Sequence, residues 1–163
     1  MPLPFLLILL LATLLLQTSV LEVVSVAGVK PDLIMLIVVL NGFLLGPREG
    51  AFLGYISGIV EDLFLGEYIG LNAISKMAAG YLAGVAGERL YKENMLVATG
   101  VTFFSAGAGL LVHYLLLFYL DLHVSPYYAL LRLALPTAVY TSLLAPFIFG
   151  RIFRYLQVRG KDF

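Results

Sequence analysis

The stretch that decides the fold runs from Gly46 to Gly87 and reads GPREGAFLGYISGIVEDLFLGEYIGLNAISKMAAGYLAGVAG. It predicts two apolar helices that run in opposite directions and are joined by a short turn. Glycines recur at every fourth position, so they share one face of each helix. They are Gly50, Gly54, Gly58, Gly80 and Gly84. Small residues at this spacing let helix backbones approach closely inside a bilayer. Two interpretations stay open: packing within the hairpin, and docking of a partner's helix.

Charged side chains lie near the turn of this hairpin. Glu61 and Asp62 are close to the end of the first helix, and Lys76 is close to the start of the second. At about 1.5 Å of rise per residue, Asp62 and Lys76 lie at the same depth, which makes a pair between them reasonable. Glu61 and Asp62 point roughly 100° apart, so at most one of them is expected to face Lys76. Arg132, in a later apolar segment, is expected at a similar depth.

We therefore expect a buried charge cluster of two acids and two bases: Glu61, Asp62, Lys76 and Arg132. Charges inside a membrane protein usually face the interior of the bundle and find partners. One interpretation is a structural set of ion pairs that fixes helix register, and we expect Lys76→Ala to lower stability in that case. The other is a proton path or the lining of a ligand pocket.

The composition indicates an integral membrane protein. Of the 163 residues, 61% are hydrophobic and 12% are charged, and the mean hydropathy is +1.00. Ordinary soluble domains are about 45–50% apolar and about 25% charged. At roughly 20 residues per span, the chain has room for six transmembrane helices with short loops. The zero net charge gives no reason to expect nucleic acid as a partner.

The fold class expected is an all-α bundle of six transmembrane helices in a single membrane domain, residues 1–163. The second apolar run is short for a span. A polar turn is expected at Gly46–Gly50, and a basic tail is expected from Arg151 onward. The spans are predicted at about residues 3–21, 31–46, 50–65, 71–87, 95–120 and 127–149.

The distribution of lysine and arginine sets the orientation. With a cytoplasmic N-terminus, the inside segments hold seven cations and the outside loops hold only Lys30. Such an asymmetry is typical of the positive-inside rule. Both termini are therefore predicted to be cytoplasmic, which agrees with an even number of spans. The seven cations are Arg48, Arg89, Lys92, Arg151, Arg154, Arg159 and Lys161.

The hairpin also carries a longer motif, GxxxGxxxGxxxDLxxGxxxGLNA, which starts at Gly50 and ends at Ala73. A Gly-Tyr-Leu-Ala-Gly segment follows at residues 80–84. Within the motif, Gly66, Gly70 and Asn72 mark the turn. With the Lys30-Pro31-Asp32-Leu33 segment before the second span, this pattern resembles the bacterial rod shape-determining MreD family. Chain length and span number agree over essentially the whole chain.

The resemblance implies a component of the bacterial cell-elongation machinery, or elongasome, in the cytoplasmic (inner) membrane. It implies MreC as the partner, with the MreB cytoskeleton, the RodA glycosyltransferase and its penicillin-binding transpeptidase connected indirectly to the regulation of peptidoglycan synthesis. It also implies a fold broadly similar to the substrate-binding subunits of energy-coupling-factor transporters. The oligomeric state stays open, a homodimer included.

The residues themselves favour a protein that is not an enzyme. A membrane enzyme acting on phosphates or lipids needs a metal-binding group of acids, or a nucleophile beside a base. The sequence offers neither, and it has no cysteine, so we predict no catalytic residues, no metal and no cofactor. Two functions stay open: a scaffold that binds MreC, and a substrate-binding subunit of a vitamin-type transporter. In the second, Asp62, Asn72, Lys76 and Arg132 would line an outward-facing pocket.

Overall fold

The computed structural model describes residues 3–19, 32–65, 69–90, 94–119 and 135–158. Within these ranges the chain forms six helices and no strands. Arg132, Gly66, Lys30 and residues 127–134 of the expected sixth span lie outside the described residues. The helices are α1 (Leu3–Ser19), α2 (Leu33–Leu45), α3 (Pro47–Leu65), α4 (Leu71–Arg89), α5 (Met95–Tyr119) and α6 (Leu135–Val158).

Helix α2 is the centre of the bundle. Every residue from Leu33 to Leu44 is buried, including the polar Asn41. A helix that is apolar on all sides requires such surroundings. At about 1.5 Å per residue its 13 residues span about 20 Å, less than the roughly 30 Å of a hydrocarbon core. Its neighbours α1, α3, α4, α5 and α6 all contact it, which explains why no side of it is exposed.

Two apolar clusters surround α2. On one side, Leu10 and Leu14 of α1 pack with Val38 of α2 and Leu53 of α3. On the other side, α2 packs with α4, α5 and α6 through a larger cluster that contains small alanines and a group of aromatic rings. The ring centroids of Phe43 and Phe149 are 6.5 Å apart.

The chain reverses between α2 and α3 within one residue, Gly46. Gly46 has a φ of 116°, a conformation that residues with a Cβ rarely adopt. Pro47 then begins α3, where its missing N–H is not needed. The expected five-residue polar turn at Gly46–Gly50 is therefore wrong, because Pro47 to Gly50 already form the first turn of α3.

The end of α6 also differs from the expectation. The basic tail was expected from Arg151, but α6 continues to Val158 with Pro146 in its interior. Arg151 and Arg154 are exposed on this helical extension. Exposed arginines can lie on a helix that continues beyond its apolar part. The drop in hydropathy therefore predicts where the apolar part of α6 ends, but it does not predict where the helix ends.

Among the described residues, one segment, Met95–Leu116 of α5, is long and apolar enough to count as a membrane-spanning helix by length and hydropathy. Leu33–Leu45 is a shorter apolar helix.

Candidate functional site

The glycines of the hairpin lie at backbone contacts between helices. Gly54 of α3 faces the Lys76 carbonyl of α4, and Gly58 faces the backbone of Ala73. A methyl group added at either position would overlap those backbone atoms. These contacts hold α3 and α4 at a distance that only residues without a side chain permit.

The same close packing at glycine extends to α2. The backbones of Gly42 of α2, Gly50 of α3 and Gly80 of α4 are in mutual contact. A side chain added to any one of them would overlap the backbone of another. One turn further along α4, Gly84 contacts Pro47 at the start of α3. The five glycines predicted to share the helix faces are all buried, and those faces are used by contacts within the chain: Gly50, Gly54, Gly58, Gly80 and Gly84.

A polar group, which we call the junction, lies at the end of the bundle that carries the α3–α4 turn. It consists of Asp32, Glu61, Asp62, Asn72 and Lys76. Lys76 is its centre: the Nζ atom lies 2.7 Å from Glu61 Oε2 and 3.3 Å from Asp32 Oδ2. The Lys76 side chain is only 1% exposed.

Asp32 connects the junction to α2 and α6. Its Oδ1 atom accepts a hydrogen bond of 2.9 Å from the Met35 backbone N–H, which caps the start of α2. Its backbone N–H donates to Thr141 Oγ1 of α6 at 3.0 Å. Asp32 thus orders the first turn of α2, accepts from Lys76 of α4 and holds α6.

Asp62 has a different role from Glu61. Its carboxylate accepts hydrogen bonds of 2.8 Å from the Gly70 backbone N–H and from the Asn72 side-chain amide. Gly70 has a φ of 108° just before α4 begins, so a glycine suits the position. A carboxylate is also favoured near a helix N-terminus, where unsatisfied N–H groups concentrate positive potential. Asp62 therefore fixes the turn and the start of α4.

The expected pair between Asp62 and Lys76 is not formed. The adjacent residues Glu61 and Asp62 point in different directions, and Glu61 is the one that faces Lys76. Asn72 bridges the two acids indirectly, because Lys76 Nζ donates to Asn72 Oδ1 at 3.4 Å while the Asn72 amide donates to Asp62.

Asp32 and Thr141 are not among the residues predicted for the charge cluster. Asp32 enters the sequence prediction only through the segment at the start of the second span, although an aspartate just before an apolar run is a helix-start signal that could have identified its capping role. Thr141 carries no such signal, since a threonine in an apolar helix gives no indication of its partner.

The junction contains three acids and one base among the described residues, and its members bond to one another and to backbone groups. Within those residues no group of histidine, cysteine, aspartate and glutamate side chains has the arrangement of a metal site. The geometry therefore suits the joining of α2, α3, α4 and α6 at one end of the bundle.

A family model described as rod shape-determining protein MreD matches residues 1–159 of the 163. No curated protein and no solved structure matches the chain.

Proposed function

Because the chain belongs to the rod shape-determining MreD family, we propose that it is a non-catalytic membrane scaffold of the cell-elongation complex that binds MreC. The family match over nearly the full length is the observation that carries this proposal. In this role the chain positions MreC, and through it the enzymes of peptidoglycan synthesis, relative to the cytoplasmic filaments. MreB, RodA and the penicillin-binding transpeptidase are then indirect partners.

The bonding of the junction supports a scaffold over a transporter subunit. A substrate-binding subunit needs converging polar groups that are free to meet a ligand. Here Lys76 is bonded to Glu61 and Asp32, and Asp62 is bonded to the turn that it stabilises. Lys76 and Asp62 are thus engaged by groups of the same chain, so the junction fits a structural element that fixes the relative position of four helices.

We propose the multi-pass arrangement with both termini in the cytoplasm as part of the same function. The chain has no cysteine, so a single introduced cysteine gives an unambiguous label. Ile69, at the α3–α4 turn, and Asn94, before α5, are both exposed. Ile69→Cys should react with a membrane-impermeant maleimide in intact spheroplasts, and Asn94→Cys should react only after lysis. The reverse pattern would overturn the orientation.

The binding of MreC is tested by co-expression with the MreC of the same host and affinity purification in mild detergent. The proposal predicts a stoichiometric complex with full-length MreC. MreC without its membrane anchor is the matched control, and it should be recovered far less if the contact is made between transmembrane helices. A well-folded chain that recovers no full-length MreC would contradict the proposal and would favour the alternative, a substrate-binding transporter subunit.

The glycines of the hairpin are not proposed as the surface for MreC. The positions Gly54 and Gly80 are in backbone contact with other helices of the same chain. A partner helix therefore has to bind elsewhere, on the apolar outer faces of the bundle.

A further inference from the structure

The interface between α4 and α5 opens into a groove. The two helices are closest near Gly109, where an added Cβ would lie 2.9 Å from the Ala79 side chain. Nine residues nearer the start of α5, a Cβ at Gly100 would have no described atom of another element within 4 Å. The space between the helices has a volume of about 500 Å³.

The lining of this groove is apolar. Leu82 and Ala86 of α4, with Leu90 directly after the end of that helix, form one side. Val97, Gly100 and Phe104 of α5 contribute to the other side. The first side extends from residue 82 to residue 90 and the second from residue 97 to residue 104, which are separations of eight and seven positions, or about 10–12 Å at 1.5 Å per residue. One leaflet of a bilayer is about 15 Å of hydrocarbon, half of the roughly 30 Å core. The groove therefore matches the depth of one leaflet and not that of a full transmembrane helix.

The open end of the groove lies at the end of the bundle that is rich in arginine. Gly84 contacts Pro47, which places the start of α3 beside the end of α4. Phe153 packs on Phe149 and Phe149 on Phe43, which contacts Gly87 near the end of α4. The described charges at this end are four exposed arginines and two exposed glutamates. They are Arg48, Arg89, Arg151, Arg154, Glu49 and Glu88. Arg89 immediately precedes Leu90 of the groove.

We propose that the α4–α5 groove binds an acyl chain of an anionic phospholipid whose headgroup lies at the arginine-rich end. The excess of positive charge complements an anionic headgroup, and the apolar groove complements the chain below it. Basic sites at the cytoplasmic end of transmembrane helices are the usual recognition elements for such lipids. The inference rests on the membrane arrangement proposed above but not on the binding of MreC.

The test is native mass spectrometry of the purified chain, without MreC, after addition of phosphatidylglycerol or of phosphatidylcholine with identical acyl chains. The wild-type chain should retain phosphatidylglycerol and bind phosphatidylcholine more weakly. Gly100→Leu should fill the groove and abolish the phosphatidylglycerol adduct. Gly150→Leu is the matched control, because Gly150 also has open space around it but lies on α6, outside the groove, and it should bind like the wild type.

A second variant tests the headgroup without changing the groove. Arg89 is exposed, so Arg89→Gln should fold normally and lower the affinity for phosphatidylglycerol about fivefold, the factor expected for one basic residue near an anionic lipid. Equal binding of both lipids by the wild type would overturn the proposal, as would an unchanged phosphatidylglycerol adduct on Gly100→Leu. The proposal would also be overturned if Gly100→Leu no longer co-purified with MreC but still bound phosphatidylglycerol, because the groove would then bind a helix of MreC.

Discussion

Helix α4 packs against α3 on one side and α5 on the other, and glycine has opposite consequences at the α3 interface and at the part of the α5 interface nearest the start of α5. On the α3 side, Gly54 is in contact with the backbone of Lys76, and the interface is closed. On the α5 side, Gly100 has open space above it, and the helices enclose a groove. A glycine in an apolar helix therefore indicates close packing only when its surroundings are known.

The closed interface is also the one that carries charge. Lys76 contributes its carbonyl to the contact with Gly54 and its side chain to the ion pair with Glu61. Steric contact and ionic contact thus act on the same turn of α4. We expect substitutions in the closed interface to destabilise the fold and substitutions in the groove to leave it intact.

The largest effect is expected for Lys76→Met. Removing this cation leaves the buried Glu61 and the partly buried Asp32 without their partner, and loss of one member of a buried ion pair costs about 3–5 kcal/mol. The free energy of unfolding can be measured by titration with SDS from a mild detergent. The control is Lys76→Met combined with Glu61→Gln, which removes one of the two carboxylates and should recover part of the loss. Unfolding of Lys76→Met at the wild-type midpoint would contradict the account of the junction.

A smaller loss is expected for Asp62→Ala. This change removes the acceptor of the Gly70 N–H and of the Asn72 amide, and hydrogen bonds to a charged group contribute about 1.5–3 kcal/mol. The same titration measures it. Asp62→Asn keeps one acceptor oxygen and should fall between the wild type and Asp62→Ala. Equal stability of all three proteins would show that Asp62 does not hold the turn.

The next two predictions place the same substitution, glycine to alanine, at the closed interface and in the groove. Gly54→Ala should cost about 1–3 kcal/mol, because the methyl group has to displace a backbone carbonyl and overpacked sites typically cost this much. Closely similar unfolding curves for Gly54→Ala and the wild type would mean that α3 and α4 are not held at the described distance.

The smallest effect, and the opposite sign, is expected for Gly100→Ala. No described neighbour meets the new methyl group, and alanine is favoured over glycine in a helix by up to about 1 kcal/mol. The variant should therefore be as stable as the wild type or slightly more stable. A loss as large as that of Gly54→Ala would remove the distinction between a closed and an open interface.

The sequence predicted the hairpin well because its two signals are local. Four-residue spacing places Gly50, Gly54 and Gly58 on one face, and counting from the turn places Asp62 and Lys76 at one depth. Which acid faces the lysine depends on the rotation of α3 about its axis, which the two adjacent acids do not determine. The sequence therefore allowed a pair between Asp62 and Lys76, where the structure has Glu61.

Contacts between distant segments could not be predicted from the sequence. Asp32 meets Lys76 across 44 positions and Thr141 across 109, and no local pattern connects them. The groove was unpredictable for the same reason, since Gly100 and Gly109 look alike in the sequence. Only the packing of α4 against α5 makes one of them a contact and the other an opening.

The most direct test of the central claim is cell shape in the host after depletion of this protein. We expect depleted rods to become rounded, re-expression of the wild-type chain to restore their width, and Lys76→Met at equal expression to restore it poorly. Cells that keep their rod shape and width after depletion would contradict a role as a scaffold of cell elongation.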